Sequence, residues 1–213
     1  EARGLFAISG TVAGRLRRFN GLEATVLRPP PQRLDLAWLG DEGYVLSVGR
    51  LDRAKRNDLL LEALSLVPDA RAVIVGDGPD RGRLEELAQR LRLGERARFV
   101  GRVDDGELSQ LYGRCRAVFY APYDEDYGFV PLEAHLAAKP VVTAADAGGV
   151  LDAVRHEETG LVAEPEPASL ASAIGRLTVD AALARRLGSA GVEPARALGW
   201  EEIVGALLEA AGT

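Results

Sequence analysis

The 213-residue chain has one cysteine, two histidines and no methionine. A lone Cys115 cannot close an internal disulfide, and with His135 and His156 as the only imidazoles no Cys/His cluster reaches metal-ligand spacing. A reducing, cytoplasmic compartment and no metal site are therefore expected. Basic excess is also missing. Lys and Arg total 26 against 32 Asp and Glu, a net charge of -6, and the two signs are interspersed, so no face is available to neutralise a phosphate backbone and nucleic acid is a poor candidate partner. No apolar run approaches the ~18 residues a bilayer span needs. The opening Glu1-Ala2-Arg3-Gly4 is not a signal peptide, and membrane association is not evident. A start without methionine suggests a fragment. What remains is an ordinary globular composition, 47% hydrophobic and 27% charged, enough to bury a core and too apolar for disorder.

From about Tyr44 to Glu164, short β-rich runs alternate with amphipathic helical runs, the pattern of a parallel sheet covered on both faces. Six strands are predicted, at Tyr44–Val48, Ala72–Val75, Ala97–Val100, Ala117–Ala121, Val141–Ala144 and Leu161–Ala163. Each is short and nearly all apolar, as strands buried on both sides must be. Between them, Leu84, Leu87, Ala88 and Leu91 recur at helical spacing behind Pro79. Asp104 with Glu107 reads as a capping box ahead of Leu108, Leu111 and Tyr112. The fold class is thus α/β, a doubly wound Rossmann-like parallel sheet. Flanking it, Leu5–Ser9, Thr11–Phe19 and Ala24–Leu27 read as strand, helix and strand before the stiff Pro29-Pro30-Pro31. At the other end Ser169–Leu177, Ala181–Ala190 and Glu201–Ala210 read as helices, broken by Gly188, Gly191, Pro194 and Gly199.

Open parallel sheets bind ligands at the carboxyl ends of their strands, and four loops there hold suggestive residues. Gly49 and Arg50, with Lys55 five residues on, offer close backbone approach, a guanidinium fork and an ammonium, which together suit a diphosphate. Taken alone, the commoner reading is a solvated basic loop. Gly76-Asp77-Gly78-Pro79 lacks the third glycine of a dinucleotide fingerprint and reads as a tight strand-to-helix turn. Glu125 to Ala134 is the strongest stretch. Pro131 suits a first helical turn, so Glu125 falls in the loop and Glu133 just inside a helix, with the amides of Gly128, Phe129 and Val130 placed for an anion. The same residues also fit an acidic helix start with Glu133 on the surface. Gly148 and Gly149, in a loop that again joins a strand to a helix, could form an anion nest or a flexible turn. His135 reads as packed in a helix and Cys115 as a small buried hydrophobe.

These four loops, in this order, resemble the donor domain of retaining glycosyltransferases of the GT-B fold, the glycosyltransferase group 1 or family 4 type. The resemblance runs from about Tyr44 to Val162 and is carried by an E-x7-E motif, Glu125 to Glu133, inside Tyr127-Gly128-Phe129-Val130-Pro131-Leu132-Glu133-Ala134 and followed by Lys139-Pro140-Val141-Val142. It implies a nucleotide-diphosphate sugar as co-substrate, with no cofactor and no metal. Arg50 and Lys55 would contact the diphosphate, Glu125 the sugar and Glu133 the ribose hydroxyls. Gly128 to Val130 and Gly148-Gly149 would approach sugar and phosphates, and the backbone at Arg102 and Val103 would meet the base. Ala138 stands where the family often has Gly, and Asp152 where a Glu is common. The resemblance further implies that residues 1–40 are a remnant of a missing N-terminal acceptor domain with its linker, 41–198 the nucleotide-sugar-binding domain and 199–213 a crossover helix. The fragment alone is expected to be inactive. Rival expectations are an epimerase or sugar phosphorylase, a non-catalytic nucleotide-binding domain, and a nicotinamide-dependent dehydrogenase, which would need a full G-x-G-x-x-G.

Overall fold

A computed structural model describes residues 4–33 and 35–212. Its centre is a six-stranded parallel sheet, with β3 (Val45–Val48), β4 (Ala72–Val75), β5 (Ala97–Gly101), β6 (Ala117–Phe119), β7 (Val141–Ala144) and β8 (Gly160–Ala163) in the order β5-β4-β3-β6-β7-β8. The chain leaves β3 toward one edge and returns to its other side at β6. That reversal opens a crevice at the carboxyl ends of β3 and β6, where open sheets of this kind receive ligands.

Successive side chains of a strand point to opposite faces, and the two cores divide accordingly. Val45, Ile74, Phe119, Val142 and Leu161 belong to one cluster. Leu46, Val73, Val75, Val118 and Val141 belong to the other. The first face is covered by α2 (Asn57–Leu66), α3 (Arg81–Arg90), α6 (Pro167–Val179) and α7 (Ala181–Ala190). Leu60, Leu61 and Leu64 of α2 and Ile174 of α6 are fully buried there, each contributing about 1.5–3 kcal/mol by leaving water. The second face carries α4 (Asp105–Arg114) and α5 (Val130–Leu136). As the sequence suggests, the Asp104 side chain caps α4 by accepting the Glu107 amide at 2.8 Å.

Ahead of the sheet, β1 (Phe6–Ala7), α1 (Gly10–Asn20) and β2 (Thr25–Val26) form a separate two-stranded parallel unit. It sits against the crevice loops. Asp152 Oδ2 accepts the Gly10 amide at 2.9 Å, Arg15 pairs with Asp124 and Asp126, and Tyr127 donates its hydroxyl to the Pro29 carbonyl at 2.7 Å. Asp152 thus satisfies the first orphan N–H of α1.

Three expectations are corrected. The loop after β7 leads into a four-residue 3-10 turn, Gly149–Asp152, instead of an α-helix. The C-terminal tail has four helices, because α8 (Val192–Arg196) precedes α9 (Trp200–Ala211). Pro194 lies in the first turn of α8, where its missing N–H costs nothing. Strand β6 also stops at Phe119, two residues early.

Candidate functional site

The first glycine loop, after β3, is shaped by its own side chains. Asp52 accepts the Lys55 amide at 3.2 Å and caps a 3-10 turn over Arg53–Lys55. Arg56 follows in the left-handed region with φ 49°, a conformation that costs a non-glycine residue about 1–3 kcal/mol. It is held there by four bonds. Its guanidinium forks onto Asp146 at 2.6 and 2.9 Å and donates to the carbonyls of Ala121 and Pro122. One side chain thereby ties together the loops after β3, β6 and β7, and sequence inspection gave no sign of it.

Across the crevice, Lys55 and Glu125 meet. The Lys55 ammonium forms an ion pair with the Glu125 carboxylate and a 3.0 Å hydrogen bond with the Tyr120 hydroxyl, its nitrogen 5.4 Å from the centre of that ring. Burial alone would lower the Lys55 pKa; the hydrogen bond to Glu125, with Tyr120, more than offsets it and holds the ammonium above the ordinary lysine value. A positive charge is therefore fixed at the topological switch point.

Glu133 is held differently. It lies on α5, as expected from Pro131 in the first turn, and its Oε2 accepts the hydroxyl of Tyr112 on α4 at 2.7 Å. Tyr112 is fully buried, and its pKa is pushed well above the phenol range by desolvation, with Glu133 adding to it, so its proton stays on oxygen. No side chain caps α5 at Phe129; the Glu133 amide donates to the Phe129 carbonyl at 3.0 Å, and the Val130 and Leu132 amides ahead of it have no intrahelical partner.

The double glycine is packed tightly. A Cβ at Gly149 would lie 2.3 Å from the Asp126 carbonyl oxygen, so at this point the loops after β6 and β7 meet backbone to backbone. The Gly149 amide donates to the Glu125 carbonyl at 2.7 Å. This N–H is thus engaged within the fold and helps to seat Glu125.

On the other side, Gly49, Arg50, Gly76, Asp77, Gly78 and Arg102 line an open cleft of about 500 Å³. Arg50 is 71% exposed, with Asp52 at 3.7 Å. Arg102 is exposed and Val103 packs on the second core cluster. Gly76 is obligatory here, because a Cβ would fall 1.9 Å from the Gly49 carbonyl oxygen at a φ of +125°.

Other named residues lie away from the cleft. His135 is buried against the Thr159 carbonyl, and desolvation lowers its pKa to about 4. Cys115 is buried, its thiol pushed up to about 12 by burial. Lys139 is also buried, ahead of β7 at the opposite end of the sheet. It donates to the Gly40 carbonyl at 2.6 Å beneath Trp38, and burial lowers its pKa.

The parallel sheet thus brings an ion pair, Lys55 with Glu125, to its topological switch point. Residues 31–193 match the family described as glycosyl transferases group 1, and the chain belongs to that family; its sheet is one Rossmann-like half of a GT-B fold. It is 34% identical over 196 residues to the D-inositol 3-phosphate glycosyltransferase of Salinispora tropica, covering 85% of this chain and 40% of that protein. Among solved structures it resembles the sucrose-phosphate synthase of Thermosynechococcus elongatus, with a TM-score of 0.85 and 34% identity over 96% of this chain and 57% of that one. It also resembles HepE of Anabaena in complex with UDP and glucose, with a TM-score of 0.84 and 25% identity over 98% of this chain and 63% of that one. The chain spans less than two thirds of the length of each. Among the described residues no helix is long and apolar enough to cross a membrane.

Proposed function

We propose that this chain is the donor-binding half of a retaining glycosyltransferase, taking a sugar from a nucleotide-diphosphate sugar for transfer to an acceptor held by an N-terminal domain. The observation that carries the reading is the Lys55–Glu125 pair at the switch point, flanked by exposed Arg50 and by Glu133 on the uncapped helix α5. Arg50, Lys55 and the amides of Gly128 to Val130 take the diphosphate and stabilise it as a leaving group. Such electrostatic stabilisation is worth ~10²–10³ in rate per donor and calls for no metal. Glu125, already beside that charge, orients the sugar and Glu133 takes the ribose hydroxyls. Arg102 and Val103 border the nucleobase through their backbone. Nothing in this arrangement acts as an enzymatic nucleophile. The lone buried Cys115 accords with a reducing, cytoplasmic setting.

The test is a pair of titrations in chelator. Glu133→Gln should weaken nucleoside diphosphate and nucleotide sugar alike, by roughly 1.5–3 kcal/mol for a charged hydrogen-bond partner. Glu125→Gln should weaken the intact donor but, because it releases Lys55 from its ion pair, should not weaken the plain diphosphate. Equal losses on the diphosphate, or no loss for either variant on the donor, would refute the assignment.

A further inference from the structure

Tyr112 is the bulkiest fully buried side chain among the described residues, yet its one polar atom is bonded to a half-buried carboxylate. Leu108, Leu111 and Tyr112 share the inward face of α4, so by position Tyr112 is a packing residue. Its hydroxyl could have been satisfied by a carbonyl, as the Tyr44 hydroxyl is by that of Leu111 at 2.7 Å. It is spent on Glu133 instead, 21 residues away on another helix.

We infer that Tyr112 is a positioning residue for Glu133: its hydroxyl occupies Oε2 and thereby fixes the carboxylate with Oε1 turned to the ligand. The inference rests on the reading of Glu133 as the ribose-binding group. A carboxylate has two oxygens and about four acceptor positions, and a long side chain samples several rotamers. Anchoring one oxygen from the dry side leaves a single acceptor edge for a pair of vicinal hydroxyls. Because the phenol stays protonated, it donates without adding charge, and the carboxylate remains a full acceptor toward the ligand. The buried ring supplies the stiffness, since it cannot follow the carboxylate if the latter swings.

The experiment uses UDP and GDP beside their 2′,3′-dideoxy forms, titrated by calorimetry on the wild-type chain, Tyr112→Phe, Glu133→Gln and the double variant. The wild type should prefer the ribonucleotide that it binds better by about tenfold or more over its dideoxy form, the scale of a charged hydrogen-bond partner. Tyr112→Phe removes one oxygen and keeps the ring. It should erase most of that preference while dideoxy affinity stays within about twofold, and the double variant should lose no more than Glu133→Gln does, the sign of two groups acting as one. Dideoxy binding also reports that the variant is folded. Equal weakening of both nucleotides by Tyr112→Phe, or an unchanged preference, would overturn the inference while leaving the Glu133 assignment intact. An unchanged preference in Glu133→Gln would remove the ribose reading itself, and the inference with it. Should Tyr112→Phe fail to fold, 3-fluorotyrosine at position 112 keeps the shape and sharpens the donor. It should then raise the ribose preference above that of the wild type, and no rise would overturn the inference.

Discussion

On the side of the cleft built from the loops after β6 and β7, the charged groups already have partners: Glu125 with Lys55, Glu133 with Tyr112, Asp146 with Arg56, and Asp124 and Asp126 with Arg15. On the side built from the loops after β3, β4 and β5 the backbone is just as tightly joined, but Arg50 and Arg102 stand in solvent. The contrast teaches where binding free energy is spent. A ligand meeting the first side exchanges one partner for another at groups already in place. On the second side it must immobilise long side chains, at up to about 1.5–2 kcal/mol of rotamer entropy each. The first side sets geometry and the second supplies adjustable attraction.

The largest test of that contrast is acid. His135 lies on α5, beneath the pinned side, and is kept neutral there with a pKa of about 4 against 6.5 in an unfolded chain. The unfolded state binds the extra proton between those values, so this contribution is complete above pH 6.5 and lost as pH falls toward 4. At about 1.4 kcal/mol per tenfold the loss is about 3 kcal/mol. His135→Gln should flatten the difference in urea unfolding free energy between pH 7 and pH 4 by about that amount. Unchanged pH dependence would show that the pinned side does not rest on a neutral imidazole.

Next comes Arg50→Ala. It should weaken nucleoside diphosphate binding by about 1.5 kcal/mol, roughly tenfold, and leave stability within about 0.5 kcal/mol, as calorimetry and denaturant unfolding would show. Loss of stability without loss of affinity would reverse the division between the two sides.

The smallest effect has the opposite sign. Ala138 sits at φ 54°. Left-handed backbone costs an L-residue about 1–2 kcal/mol, partly offset by the extra freedom glycine has when unfolded. Ala138→Gly should therefore raise the unfolding free energy by about 0.5–1 kcal/mol, measured by thermal denaturation; a destabilised variant would mean that the alanine methyl does more than it costs.

The sheet was legible because its strands are short, nearly all-apolar runs between helical stretches, and β4 and β7 fall where the residues predict them. The missed features are all tertiary. The 3-10 turn after Gly148 exists because the glycine pair lies against the loop of Glu125 and Asp126, and no local pattern encodes that contact. Glu125 and Glu133 stood out in the stretch around Gly128 and Pro131, but their partners in the fold did not. Lys55 is 70 residues from Glu125, and Tyr112 looks like any other apolar-face residue of an amphipathic helix. Arg56 shows only as a second basic residue beside Lys55. Pro194 marks a break by composition, and its tolerance in a first turn became visible only once α8 had a start.

The steric demand at Gly76 and Gly149 bears on how such a chain would decay. A side chain at either position would collide with a carbonyl oxygen about 2 Å away, so both glycines answer to folding whether or not anything is bound. Arg50, with most of its side chain in solvent, answers to no such demand. A duplicated copy retained only as a scaffold would keep its glycine-rich turns unaltered through long drift while Arg50 wandered. Intact glycine loops in such a chain are thus a record of shape, and on the proposed reading of Arg50 the exposed arginine is the better witness to work still being done.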